Sequence, residues 1–297
     1  MTLPQVLDLT SDALALLPAA IAMWITLRVL RFPDLSIEYA VAFAAFVFVA
    51  AGRNQGDWRL ALGATLGAGL LLACCMGLLV EYGRLPGILV ALVAAYALYS
   101  LSLLVLGAPN ASVDAPISVV NRFGGDTRLT SASFRLMLPG AVAIPATLLN
   151  AWLVSTVMGQ NVVAVGANRL AAQRCGIPAH RLAVCGMSWA GVLVGLSGFL
   201  AAQTGGYVDI GMGTGLLAVF LIAISVARAA TALLAPTSQG ARRFQFELFF
   251  LGLAMIGTRF LVAIALKMAV SPAAVRLVVA IELLALAVLL RRHVTDL

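Results

Sequence analysis

Apolar runs of roughly 20 residues, each enough to cross a ~30 Å hydrocarbon core as a helix, recur along almost the whole of this chain. That repetition restricts it to an all-α, polytopic membrane bundle. The runs are continuous and lack period-two alternation, which excludes the strands of a transmembrane barrel. Composition agrees: 62% of the 297 residues are hydrophobic and 10% are charged, with a mean hydropathy of +1.05, outside the range of ordinary globular domains. The first 27 residues carry no Lys or Arg, so the start reads as a membrane helix and not as a secretory signal.

Nine spans are expected, within a range of eight to ten, at 13–30, 36–52, 59–80, 86–107, 136–157, 181–204, 214–234, 244–267 and 273–290. They form one membrane domain over 1–297. With the N-terminus outside, the short connections 28–35 and 235–243 and the C-terminal tail place their arginines in the cytoplasm, as the positive-inside rule requires. The formal charge of +7 then serves topology and lipid headgroups, not nucleic acid. Cys74, Cys75, Cys175 and Cys185 show no metal-ligand or disulfide spacing and read as small apolar fillers. Gly63 with Gly67, and Gly191 with Gly195 and Gly198, fall at helix-packing intervals; packing within the chain and a subunit interface are both open.

Residues 158–181 are a basic, helix-compatible connection between two long apolar stretches. Asn168 is an N-cap for a short helix through Arg169, Leu170, Ala171, Ala172, Gln173 and Arg174. Gly176 suits the left-handed residue that ends it, and Pro178 blocks continuation. The cations of this helix either meet anionic lipid or form a knob for a cytoplasmic protein.

Polar residues within apolar surroundings are the other candidates, because charge in a bilayer is costly and marks structure or pathway. Arg259 and Glu282 flank a turn near Ser271 and can meet at one depth, as a structural pair or as a contact for solute. Arg228 and Glu247 flank the preceding turn in the same way. Asp34, Ser36 and Glu38 follow Pro33, where a broken helix would expose backbone and carboxylates to a central path, and where a helix cap is an equal reading. Tyr207 and Asp209, in a glycine-rich outer turn, face a partner or shape the loop.

No motor is encoded. A phosphate-binding loop needs a lysine after its glycine turn, and the one lysine, Lys267, ends an apolar span. Nor is there a metal-ligand cluster, HExxH or GxSxG, so no enzymatic constellation presents itself.

The run GANRLAAQRCGIPAHRLAVCGMSWAGVLVGLSGFLAAQTGGYVDIGMGTG, 166–215, resembles the coupling-loop region of permease subunits of bacterial ABC importers for branched-chain amino acids and simple sugars. It is most similar to the tryptophan/tyrosine-type branch of uncharacterised transport-system permeases. LRVLRFPDLSIE at 27–38 and LVALVAAYALYSLSLLVLGAPN at 89–110 resemble further segments of that branch, so the likeness covers most of the chain.

The resemblance implies a type II importer fold in the bacterial inner membrane: a multi-pass, non-enzymatic subunit paired with a second permease, a copy or a paralogue. Two ATP-binding cassette subunits would bind ATP and Mg and drive it, and an extracytoplasmic protein would deliver an amino acid or similar small polar solute. Gly166, Asn168, Arg169, Ala172, Arg174, Gly176, Ile177 and Pro178 match the loop that docks on the ATPase. Asp34, Ser36, Glu38, Arg259 and Glu282 are the pathway candidates. This chain departs from the branch at Tyr39, at Ser188-Trp189 and at Phe220 and Arg228, which suggests one half of a heterodimeric permease. The rivals are an ion- or proton-coupled secondary transporter and a non-transporting membrane scaffold.

Overall fold

The computed structural model describes residues 3–123 and 128–267. The ninth expected span, 273–290, and Glu282 lie outside them. Among the described residues eight helices are long and apolar enough to cross a membrane, and they fall on the first eight expected spans.

The first crossing is α1 (Leu3–Trp24), continued by a π-helical turn at Ile25–Val29. Chain 30–36 is not helical. It is followed by α2 (Ile37–Gln55), α3 (Trp58–Glu81) and α4 (Gly87–Leu106). A short strand β1 (Asn110–Ser112) and helix α5 (Val119–Phe123) precede α6 (Arg128–Ser155). Then come two short helices, α7 (Val157–Ala167) and α8 (Arg169–Arg174), and the long α9 (Ala179–Gly205). Strand β2 (Tyr207–Asp209), α10 (Leu216–Leu234) and α11 (Ala241–Lys267) complete the described chain.

Helix α9 is the axis of the bundle. Its glycines let neighbours approach to backbone contact, the source of dispersion energy between helices that share an apolar solvent. Gly191 lies against the Gly69 carbonyl of α3, and Gly195 against Thr65 and Leu66; Gly198 lies against Val41 and Ala44 of α2. Gly63 and Gly67 of α3 take no part, since open space lies where their side chains would be. Packing within the described chain therefore uses the α9 glycines and leaves the Gly63–Gly67 pair unused. The largest apolar cluster surrounds Trp24, Phe220, Leu248 and Leu251, between α1, α10 and α11.

The two ends of the bundle differ. At one end β1 pairs antiparallel with β2, with Asn110 opposite Asp209 and Ser112 opposite Tyr207. There Gln203 accepts from the Val119 amide at 2.9 Å and donates to the Ile117 carbonyl at 2.9 Å. Arg53 reaches Asp114 at 3.1 Å. Tyr207 and Asp209 thus shape the loop in this chain. At the other end lie α7, α8 and the ends of α1 and α3.

Candidate functional site

The break after α1 begins where Leu30 and Phe32 donate to the carbonyls of Ile25 and Thr26 at 2.9 and 2.8 Å. Pro33 supplies no amide and disfavours a helical residue before it. Asp34 then accepts from the Ser36 amide at 2.9 Å and the Ser36 hydroxyl at 2.6 Å, an Asx turn that launches α2. Ser36 lies 3.8 Å from Met76 of α3 and shares a cavity with Met187, Gly191 and Val194 of α9, so α2 starts within the bundle and not at its end. The chain thus re-enters the bundle as irregular backbone, tolerated at that depth because protein surrounds it.

Asp34 and Ser36 line a cavity of about 30 Å³ with Thr26, Gly69, Met76 and Gly191. A water or two would fill it, and no solute would. In this conformation the break is closed. Burial pushes the Asp34 carboxyl above its ordinary range, against the opposing pull of the Ser36 hydrogen bonds.

Glu38 faces away from that cavity. Its carboxylate accepts from the amides of Gly215 and Leu217 at 2.9 and 3.1 Å, capping the N-terminus of α10. Gly213 lies directly on the Glu38 backbone carbonyl, where any side chain would collide. The three pathway candidates of this segment are therefore divided: Asp34 and Ser36 line the cavity, and Glu38 fastens α2 to α10.

At the opposite end from the β-ribbon, α8 is built as its residues predict. Asn168 Oδ1 accepts from the Ala171 amide at 3.0 Å. Gly176 takes φ +79°, which L side chains disfavour, and the Ile177 amide returns to the Ala172 carbonyl at 3.0 Å. Ala172 is buried with Val165 and Ala179, and Ile177 packs on them. Pro178 precedes α9. Gly166 abuts the Val29 carbonyl, joining α7 to the π turn. Outward stand Arg174 and Leu170, the latter 68% exposed.

Arg169 does not simply face solvent. It pairs with Glu81, the last residue of α3, whose side chain is 5% exposed. His180 Nδ1 of α9 lies 3.0 Å from the same carboxylate and 3.1 Å from the Arg169 guanidinium, and the Gln173 amide of α8 lies 3.4 Å from His180 Nε2. Glu81 was invisible to sequence reasoning because its partners lie about a hundred residues away; a carboxylate ending an apolar run was the available signal.

Glu247 is also placed differently from the expectation. It accepts from Trp24 Nε1 at 3.1 Å and pairs with Arg28 at 3.5 Å and Arg243 at 3.8 Å. Arg228 lies within the electrostatic reach of Glu247 but makes no ion pair with it among the described residues, where Arg28 and Arg243 do. Trp189 donates to Asn150 at 2.9 Å, which accounts for a polar indole in α9. Arg259 lies near the ribbon end of α11, and its expected partner Glu282 is outside the described residues. No group of three or more His, Cys, Asp or Glu that could hold a metal ion occurs among the described residues.

Eight apolar crossings, an irregular segment between the first two and a capped basic helix at one end define a multi-pass helical membrane protein. The chain matches the family described as branched-chain amino acid transport system, permease component, over residues 5–241, and it belongs to that family. Such permeases are multi-pass proteins of the bacterial inner membrane.

Among curated proteins it is similar to the tyrosine transport system permease protein of Clostridioides difficile (strain R20291), 27% identical over 265 residues, 85% of each chain. An uncharacterised protein of Rickettsia prowazekii (strain Madrid E) is 27% identical over 224 residues, 73% of this chain and 74% of that one. No solved structure matches.

Proposed function

We propose that this chain is the membrane subunit of an ATP-driven importer. It moves a small polar solute of the amino-acid kind, delivered by an extracytoplasmic binding protein, into the cytoplasm. ATP hydrolysis is supplied by two ATP-binding cassette subunits docked on the α8 end, and a second permease, a copy or a paralogue, completes the membrane part.

The observation that carries this reading is the construction of α8. A six-residue helix has little stability alone, yet this one is capped at Asn168, closed at Gly176 and pinned through Arg169 to Glu81. It presents an apolar tip, Leu170, beside Arg174. Lipid binding by charge would not require a fixed apolar knob, whereas a groove in a protein partner would. The Clostridioides relative, called a tyrosine transport system permease, supports amino acids as the cargo class.

A proton-coupled secondary carrier is favoured by one observation: Asp34 is a carboxyl held at depth, with a raised affinity for a proton. Gentle purification from the native membrane, with mass spectrometry of what remains bound, separates the readings. An ATP-binding cassette subunit supports the importer, and the count of permease sequences distinguishes homodimer from heterodimer. Uptake that persists without such a subunit and follows a proton gradient supports the carrier.

A further inference from the structure

The ribbon end of the bundle holds a polar cavity of about 260 Å³ between α1, α9, α11 and the chain after β2. Asp12, Thr204, Tyr207 and Arg259 contribute its polar groups, with Leu16 and Met212 among its apolar walls. Two features distinguish it from a packing void. Arg259 Nε is buried and has no hydrogen-bond acceptor among the described residues. A guanidinium is permanently charged and carries five donors, so an unused donor inside a bundle calls for an anion. Asp12, across the same cavity, is exposed and attracts Arg259 without closing on it as an ion pair among the described residues.

The surroundings do not tip the balance of charge. Asp8 of α1 and Arg135 of α6 add one further charge of each sign near Asp12, and the Ser11 hydroxyl donates to the Arg135 carbonyl at 2.7 Å, fixing α6 to α1 there. A simple anion would be drawn to Arg259 and repelled by Asp12; a simple cation would meet the reverse. A molecule carrying both charges a few bonds apart satisfies both walls.

We propose that this cavity binds a small zwitterion, an α-amino acid, with the carboxylate on Arg259 and the ammonium on Asp12. The site lies at the end opposite α8, where solute would enter, and the proposal rests on the transport reading for its place in a cycle. The cavity, about 260 Å³, is below the ~300–1,000 Å³ of pockets for drug-sized ligands, which suits a molecule the size of a single amino acid. The Tyr207 hydroxyl and the Leu16–Met212 wall are then the surfaces offered to its side chain.

The test uses the full-length permease in lipid nanodiscs, with binding of L-alanine, L-valine and L-tyrosine measured by calorimetry. Each is compared with its methyl ester, which lacks the carboxylate, and its N-acetyl form, which lacks the cation. At least one free amino acid is expected to bind, and its ester and N-acetyl form at least about tenfold more weakly. Arg259→Gln should erase the preference over the ester, and Asp12→Asn the preference over the N-acetyl form. Arg259→Lys, which keeps the charge, should retain binding in part, and Glu282→Gln should weaken binding less than Arg259→Gln does.

Melting temperatures verify that each variant is folded. Absence of binding by all three amino acids, esters binding as tightly as free acids, or loss of binding in Glu282→Gln equal to that in Arg259→Gln would overturn the proposal. The last result would commit Arg259 to Glu282. Retention of an ATPase subunit is read separately, so its absence beside intact binding would remove the importer reading and leave this site standing.

Discussion

The Arg169 guanidinium of α8 closes on the buried Glu81 carboxylate that ends α3. The short exposed helix α8 is thereby fixed to a helix that lines the cavity at Asp34 and Ser36. Glu81 also holds His180 of α9, so three elements meet at one carboxylate. We expect Glu81→Gln and Arg169→Gln each to lower solute uptake more than ATPase binding. Because Arg169 is 41% exposed, solvent screening limits the pair to about 1 kcal/mol of stability. The exchange Glu81→Arg with Arg169→Glu should recover uptake in part; uptake unchanged in both single variants would contradict a transmitting role.

On the importer reading, Leu170 separates docking from folding. At 68% exposure it contributes little to the bundle, so Leu170→Glu should shift stability by no more than about 0.5 kcal/mol. The same change should release the ATPase. Thermal melting and co-purification, run on one preparation, check both halves.

Glu38 and Gly213 form the second junction. Glu38→Ala removes the acceptor for two amides at the head of α10, a cap whose loss costs about 0.5–2 kcal/mol. Gly213→Ala should be worse, because its methyl would enter the Glu38 carbonyl. Melting of the purified permease should rank parent, Glu38→Ala and Gly213→Ala in descending order.

Asp34 makes stability depend on pH in a sense opposite to that of a salt-bridged acid. Its carboxyl is raised from 3.8 by burial, so the folded state holds the proton after the unfolded chain has lost it. Stability is therefore full below the unfolded value, falls as pH rises through the interval up to the folded value, and is level beyond. Asp34→Asn should remove this slope. Melting the parent and the variant between pH 4 and 8 gives the comparison, and parallel curves would show that Asp34 titrates as an ordinary surface acid.

The spans and α8 were legible in the sequence because their signals are local. Apolar length sets the crossings, and Asn168, Gly176 and Pro178 mark a start and a stop within eleven positions. Pro33 and Asp34 likewise announced a break. The sequence could not announce what the break is fastened to. Glu38 caps a helix 177 residues later, and Glu81 meets Arg169 from a different helix far along the chain. Glu247 pairs with Arg28, 219 residues earlier, a long-range contact for which the sequence carries no local mark. The ribbon of β1 and β2, three residues each, is too short to show a period.

The irregular turn at Asp34 has a consequence for biosynthesis. Its walls are α3 and α9, and α9 leaves the ribosome long after residues 30–36 have been inserted. Until about residue 205 has emerged, this turn has its own Asp34–Ser36 hydrogen bonds and the α3 wall, but the side that α9 will cover stays open. The nascent first half of the chain is thus committed to the membrane before it is complete as a fold, and the arrival of α9 is the step that seals it.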